Sequence, residues 1–342
     1  MTQFKKITLQ DFEQDPEIIP VKYSDGFVVL NRKEVVEHYK RIEPIPRKRY
    51  FRKEIKRLLW ISKSRLSKKF YIGQVLTGLG DLMGLSHLPR LIKMRSEKSK
   101  VYVYSSDFAE DVFLNNPFID GFTDAKGVLW NKKGSGTDLG SGHLTQMKAR
   151  FFGLGECPPK GDLFISDEEK KSFQSYANKS LATIHVKGKT HDAPVPDEIW
   201  AGIVEELRKT HFVMQLKGPH EKAIPNVDGT MTGIRNCIVC QSFARVHVGI
   251  DSGFTHTAAA LDVPAVVIVD KITTQAPLLK DGVHQLVLPH ISCNHLDFLY
   301  PQHSYLCVGP ATPKAPPLTR VTLRMAINGE IYPFRNKLVW DF

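Results

Sequence analysis

Short apolar, β-branched runs recur along this chain, at 70–76, 100–104, 118–122, 181–186, 212–216, 246–250 and 266–268. Between them the apolar positions fall three and four apart, the spacing of a helix with one buried face. Such helices are predicted over 82–94, 107–115, 144–152, 197–209 and 232–242, with a capped helix beginning at Ser166 and a short one over 255–261. The inner face of 197–209 carries Ile199, Trp200, Ile203, Val204 and Leu207. Strand and helix alternating in this way predict parallel sheets, and the pattern runs through twice. The fold class expected is therefore α/β, with two Rossmann-like parallel-sheet domains facing a cleft. The boundaries expected are an N-terminal extension at 1–69, a first domain at 70–178, a second at 179–310 and a tail at 311–342. In the tail, 321–327 and 331–334 flanking Asn328 and Gly329 read as a hairpin. Ahead of the first domain, 26–30 reads as a strand and 31–43 as a polar helix. Pro44 and Pro46 break that helix, and 47–67 reads as a second one with Phe51, Ile55, Leu58 and Leu59 along one side.

Composition agrees with two folded domains, since 342 residues with 42% apolar content can bury two cores. No apolar run approaches the ~20 residues of a membrane span, and the N-terminus lacks a signal-peptide core, so a cytoplasmic location is expected. Five cysteines, an odd number, argue against a disulfide framework. The net charge of +11 is concentrated: residues 31–70 hold 15 Lys or Arg against 4 Glu. A basic amphipathic segment of this kind suits an anionic partner. The candidates are a membrane surface touched peripherally through 31–70, an anionic glycan, or an acidic protein; equally, the helix packs on its neighbour with its charges solvated. Nucleic acid is disfavoured, because no binding module accompanies the charge.

Candidate chemistry centres on 246–268. Val246, Val248 and Ile250 make a strand, Asp251, Ser252 and Gly253 a tight turn, and Pro264 closes the short helix predicted over 255–261. That turn would sit at the carboxyl end of a strand, where open parallel sheets bind ligands. The unpaired amides of a helix N-terminus suit a phosphate, and Gly253 lets an anion approach the backbone. Ser252, Thr255 and His256 add side-chain donors, while Asp251 would repel a phosphate and fits an orienting role. The same residues also fit an ordinary strand-to-helix turn with a Ser or Thr cap and a packed histidine.

The series Gly249-x-Asp251-Ser252-Gly253-x-x-His256-x-Ala258-Ala259-Ala260, closed by Pro264, resembles the donor-site signature of the heptosyltransferase-like glycosyltransferases of family nine. Gly78-x-Gly80-Asp81, followed by Leu88-Pro89, resembles the opening of the same family's first domain. The resemblance spans about 70–310 and implies a GT-B fold. It implies inverting, metal-independent transfer of a heptose-like sugar from a nucleotide-diphosphate donor, an ADP-linked one among the candidates, to a hydroxyl acceptor. Asp81 would be the general base, oriented by Gly78 and Gly80. Ser252, Gly253, Phe254, Thr255 and His256 would hold the donor phosphates, and His87 would touch the acceptor. The acceptor would be an anionic glycan, lipid-linked or protein; the basic segment 31–70 leaves two locations open, free in the cytoplasm or peripheral at the inner membrane surface. No cofactor and no metal is expected. The family usually places a Lys or Arg before a Trp-Pro pair; here Ala193, Val195 and Pro196 stand in that region, leaving Lys187 and Lys189 as substitutes for the phosphate charge. A second departure is Val269-Asp270-Lys271, where the family more often has Gly and Thr. The alternative function is a non-catalytic nucleotide-sugar or glycan-binding protein that has lost transfer activity.

Other motifs are weaker. Gly78-x-Gly80 would need a glycine at Met83 to complete a dinucleotide fingerprint. Cys237-x-x-Cys240, Cys293, His295, His303 and Cys307 invite a zinc reading, but Cys237 and Cys240 fall on a helix leading into a buried strand and read as core. Cys293 and Cys307 remain either a metal pair or a loop brace. His185 and His247, within strands, read as satisfied core residues.

Overall fold

The computed structural model describes residues 18–23, 26–31, 59, 61–62, 64–73, 78–124, 144–155, 157, 160–187, 195–269, 274–275, 287–288, 300, 302–307 and 318–330. The chain forms two compact units, one of Met1–Lys63 with Lys271–His295, the other of Ser64–Asp270 with Leu296–Phe342. In the first unit β1 (Ile18–Tyr23) pairs antiparallel with β2 (Gly26–Asn31), closing at Tyr23 opposite Gly26. Most of the predicted basic helix lies outside the described residues. At its end Leu59, assigned to the apolar side, is 65% exposed, whereas Ile61 is buried. Among the described residues no helix is long and apolar enough to cross a membrane.

The second unit holds both parallel sheets. The first joins β3 (Lys69–Ile72), β4 (Lys100–Tyr104) and β5 (Gly121–Thr123) in that order. Its helices are α1 (Leu79–Met83), α2 (Leu88–Arg95), α3 (Ala109–Phe113) and α4 (Leu144–Phe151). Then α5 (Asp167–Ser172) leads to the second sheet, built from β6 (Leu181–His185), β7 (Phe212–Leu216), β8 (Gly229–Met231), β9 (Ala244–Ile250), β10 (Ala265–Val269) and β11 (Ser304–Cys307). Its spatial order is β8-β7-β6-β9-β10-β11, every neighbour parallel. This is the doubly wound order 3-2-1-4-5-6. The chain reverses direction across the sheet between β6 and β9, and ligands of such sheets bind beyond the strand ends at that switch point.

One face of the second sheet is apolar. Ala182 and Ile184 of β6, Val246 and Val248 of β9, and Val266 and Ile268 of β10 pack with Trp200, Ile203, Val204 and Leu207 of α6 (Asp197–Leu207). The predicted inner face of that helix is the observed one, except that Ile199 is only partly buried. The tail is different from its reading: Arg320–Ile327 is a helix, α9, not the first strand of a hairpin. Thr319 caps it, its hydroxyl accepting from Thr322 N at 3.1 Å while the Thr322 hydroxyl accepts from Thr319 N at 2.8 Å. Leu323 and Ala326, three apart, complete the core against α6.

The helix predicted over 82–94 is broken. It begins earlier, as α1, and restarts at α2 with Pro89 near its first turn, where the missing amide costs nothing. Ser86 fills the break, donating to Met83 O at 2.9 Å and accepting from Asp162 N at 2.9 Å. β5 is Gly121–Thr123 rather than 118–122, because Asn116 turns the chain by accepting from Phe118 N at 2.9 Å. Arg235 of α7 (Ile234–Gln241) ties the two sheets' layers together. It forks onto Glu169 at 2.6 and 2.9 Å and donates to the carbonyls of Asp111 in α3 and Phe164 at 2.9 and 2.5 Å. That fork holds the Glu169 carboxyl below the usual carboxylate range.

Candidate functional site

At the switch point, β9 ends at Ile250 and α8 (Gly253–Ala260) opens after the two residues Asp251 and Ser252. The helix therefore starts at Gly253, two residues ahead of the expected Thr255. Ser252 stands at its N-cap in extended conformation but does not cap it. Its hydroxyl is 3.0 Å from His185 Nδ1, at the end of β6. With the proton on Nδ1, the imidazole donates to Ser252 and leaves the hydroxyl hydrogen free for an anion.

A line of buried polar side chains holds α8 from behind. Register places Thr183 opposite His247 and His185 opposite Gly249, on the sheet face away from the α6 core. The Thr183 hydroxyl lies 3.0 Å from His247 Nδ1. Gln241 Nε2 donates to Phe254 O at 3.0 Å, and its Oε1 accepts from Thr257 Oγ1 at 2.6 Å. His303 uses both ring nitrogens: Nδ1 accepts from Ala265 N at 3.2 Å and Nε2 donates to Thr255 O at 3.1 Å. Burial holds His303 down to about 4 and His247 well below the ordinary histidine value, so both stay neutral.

Against this end of α8 packs α1. A Cβ added to Gly80 would lie 2.8 Å from His256 Cδ2 and 3.1 Å from its Nε2, and one on Gly253 would lie 2.5 Å from Leu79 Cβ. Only glycine at both positions allows this approach. Asp81, at the third position of α1, is exposed, and its Oδ2 accepts from Gly78 N at 3.2 Å. His256 Nδ1 sits 2.6 Å from the Tyr300 hydroxyl, with the rings edge to face at 5.6 Å. Burial lowers the His256 pKa, and the carboxylates of Asp251 and Asp81 push back against that shift. Asp81 also acts on Lys148 of α4, a lysine only 4% exposed whose pKa is lowered by burial and partly restored by that carboxylate. The end of α8 and the start of α1 thus share one set of charges.

Of the residues proposed from the sequence, Gly78, Gly80, Asp81, Asp251, Ser252, Gly253 and His256 meet here. Phe254 is buried edge-on against His185 at 4.8 Å. Thr255 is not available to a ligand: its hydroxyl donates to Ile250 O at 2.9 Å, its amide to Ser252 O at 3.0 Å, and its side chain is buried. His87 is fully buried at the head of α2, where burial lowers its pKa to about 3; it does not face solvent where an acceptor would enter. Lys187 is exposed two residues past β6, and Lys189 lies outside the described residues, as do Cys293 and His295. Cys237 and Cys240 are buried on α7 with thiols pushed up to about 12 by burial, the behaviour of core cysteines. Sequence reasoning missed His185, Gln241 and Tyr300. His185 was findable, since it ends the strand beside the switch point.

No protein-family model matches the sequence, and no curated protein matches it. The fold does have solved relatives. A family nine glycosyltransferase of Veillonella parvula DSM 2008 superposes with a TM-score of 0.54 at 11% identity, over 76% of this chain and 96% of that one. The ADP-heptose lipopolysaccharide heptosyltransferase II of E. coli gives 0.52 at 11% identity, with the same shares of 76% and 96%. Two parallel sheets in this order, meeting at α1 and α8, give the chain the GT-B-like fold of the family nine glycosyltransferases.

Proposed function

We propose that this protein is a glycosyltransferase that moves a heptose-like sugar from a nucleotide-diphosphate donor to a hydroxyl acceptor, with inversion and without a metal. The observation that carries the proposal is the meeting of Gly80 and Asp81 with Gly253 and His256 at the switch point of a doubly wound sheet. A phosphate-seeking helix start and an exposed carboxylate on one short gap are what a single displacement needs. Asp81 takes the proton of the acceptor hydroxyl, and the oxygen attacks the anomeric carbon. The bond from that carbon to the donor phosphate breaks, and the nucleoside diphosphate leaves with the electron pair. The opening of α8 and Ser252, turned by His185, meet the charge that accumulates on the leaving group. The fold likeness to an enzyme named for ADP-heptose supports an ADP-linked donor. An anionic acceptor at the inner face of a membrane, met by the basic residues 31–70, completes the proposal.

The test is Asp81→Asn, with nucleoside diphosphate release followed across a panel of nucleotide sugars and acceptors. Turnover should fall by about a hundredfold or more, the usual worth of a general base, while donor affinity stays. The departure at Ala193, Val195 and Pro196, where the family usually has a Lys or Arg and a Trp-Pro pair, supports a second reading, a nucleotide-sugar or glycan binder without turnover. In that case the wild-type protein binds donor but releases no diphosphate, and Asp81→Asn changes nothing.

A further inference from the structure

A neutral imidazole has one N–H to offer, and the nitrogen that carries it decides whether the ring attracts or repels an anion. His256 is such a ring, because burial lowers its pKa. Its Nε2 lies on the side of the gap bounded by α1, where it would be 3.1 Å from a Cβ on Gly80, and it makes no hydrogen bond to a described residue. Its Nδ1 is 2.6 Å from the Tyr300 hydroxyl. That length suits a hydroxyl donating to nitrogen; an N–H donating to oxygen usually spans about 2.9 Å. Burial raises the Tyr300 pKa, so the phenol keeps its hydrogen.

Tyr300 is held in place at both of its backbone groups. Its amide donates to the Tyr305 hydroxyl at 3.0 Å, and its carbonyl accepts from His303 N at 3.1 Å. Its buried ring lies against the rings of His256 and His303, at 5.6 and 5.1 Å. Tyr305 belongs to β11, and His303 Nε2 donates to Thr255 O of α8, so the framework that holds the helix also carries the phenol.

We propose that Tyr300 is a positioning residue for donor binding: its hydroxyl donates to His256 Nδ1, which puts the ring's hydrogen on Nε2, toward the gap that the donor diphosphate would fill. This rests on the glycosyltransferase reading and adds to it the group that makes His256 a donor. Residues 249–256 include Asp251 and no Lys or Arg, so an anion at the opening of α8 depends on neutral N–H and O–H groups aimed at it. In the opposite tautomer a lone pair on Nε2 would face the diphosphate and repel it. The bond to Tyr300 also keeps the ring from turning over, which would exchange its two nitrogens.

Two measurements on the full chain test this. Nitrogen NMR of the histidine-labelled protein reads the tautomer, with the His256 signals assigned by their loss in His256→Ala; Nε2 should carry the hydrogen. Calorimetry with ADP, GDP and UDP reads affinity for wild type, Tyr300→Phe, His256→Ala and the double variant. Whichever nucleotide the wild type binds should bind Tyr300→Phe about three- to tenfold more weakly, the worth of one neutral hydrogen bond, and Tyr300→Phe should cost nothing more once His256 is alanine. An equal loss with and without the imidazole marks a merely structural tyrosine and overturns the assignment. Unchanged affinity in Tyr300→Phe, or a hydrogen on Nδ1, overturns it too, and each of these leaves the transferase reading standing. If the wild type binds none of the three nucleotides, that reading falls and the assignment with it. Should Tyr300→Phe fail to fold, the wild-type spectrum decides: an Nε2–H signal that shifts on adding the nucleotide upholds the assignment, and one that stays still overturns it.

Discussion

The two helix starts that meet at the site are supported in opposite ways. Behind α8 lies a buried set of hydrogen bonds, in which Gln241, Thr257 and His303 meet its carbonyls, Thr255 ties it back to Ile250 of β9, and His185 meets Ser252. Behind the start of α1 there is one exposed cap, from Asp81 to Gly78, and the close fit of Gly80 and Leu79 on the facing turn. The difference teaches where precision is built in. The turn that would hold the phosphates is preorganised from below, whereas the turn carrying the carboxylate takes its position largely from the partner it touches.

Acid should probe both sides with the largest effect. His303 behind α8 and His87 at α2 are neutral when folded, with pKa values lowered to about 4 and about 3 by burial, and burial also holds His247 well below the ordinary histidine value. The unfolded chain takes up these protons near pH 6.5, so stability is lost as pH falls below that value. The loss is about 1.4 kcal/mol per pH unit for each histidine and continues until the folded pKa is reached. Urea unfolding at pH 7, 5.5 and 4.5 measures it. Replacing His303 by Gln should flatten the curve, and a curve that is already flat would show that burial does not hold these rings neutral.

Next in size, Gln241→Leu removes one of two side-chain donors to the Phe254 carbonyl, which keeps the Thr257 hydroxyl, and takes an acceptor from Thr257 in a dry interior, at a cost of about 1–3 kcal/mol. Gly253→Ala drives a methyl into Leu79 and should cost about 1–3 kcal/mol. A paired Leu79→Ala change should recover part of that loss, because the two residues share the contact. Smallest of all, Asp81→Ala loses one exposed cap, about 0.5–1 kcal/mol. If Asp81→Ala proved as damaging to stability as Gln241→Leu, the contrast between the two helix starts would fail. Asp81 would then have to be counted as structural.

The legibility of the sequence follows the same division. The strand, turn and small helix of 246–268 are local, and their alternation and turn residues are visible without the rest of the chain. What makes the turn a site is the neighbour β6, and the register that brings His185 beside Ser252 comes from pairing across more than sixty residues. The C-terminal helix reads as a strand from the sequence because Val321 and Thr322 are β-branched and favour strands locally. The reciprocal cap of Thr319 and Thr322 was the available sign, and burial of Leu323 and Ala326 outweighs propensity. The break at 84–87 needed Asp162, a partner some seventy residues away.

Arg235 brings a consequence for anyone who would cut this protein into halves. One guanidinium fastens α7 to a carboxylate at 169 and to backbone oxygens at 111 and 164, so a cut between the sheets divides a single knot between two fragments. The later piece would inherit a cation made to be enclosed, and the earlier piece a stranded acid. Such fragments are better suited to complementing each other when mixed than to living apart.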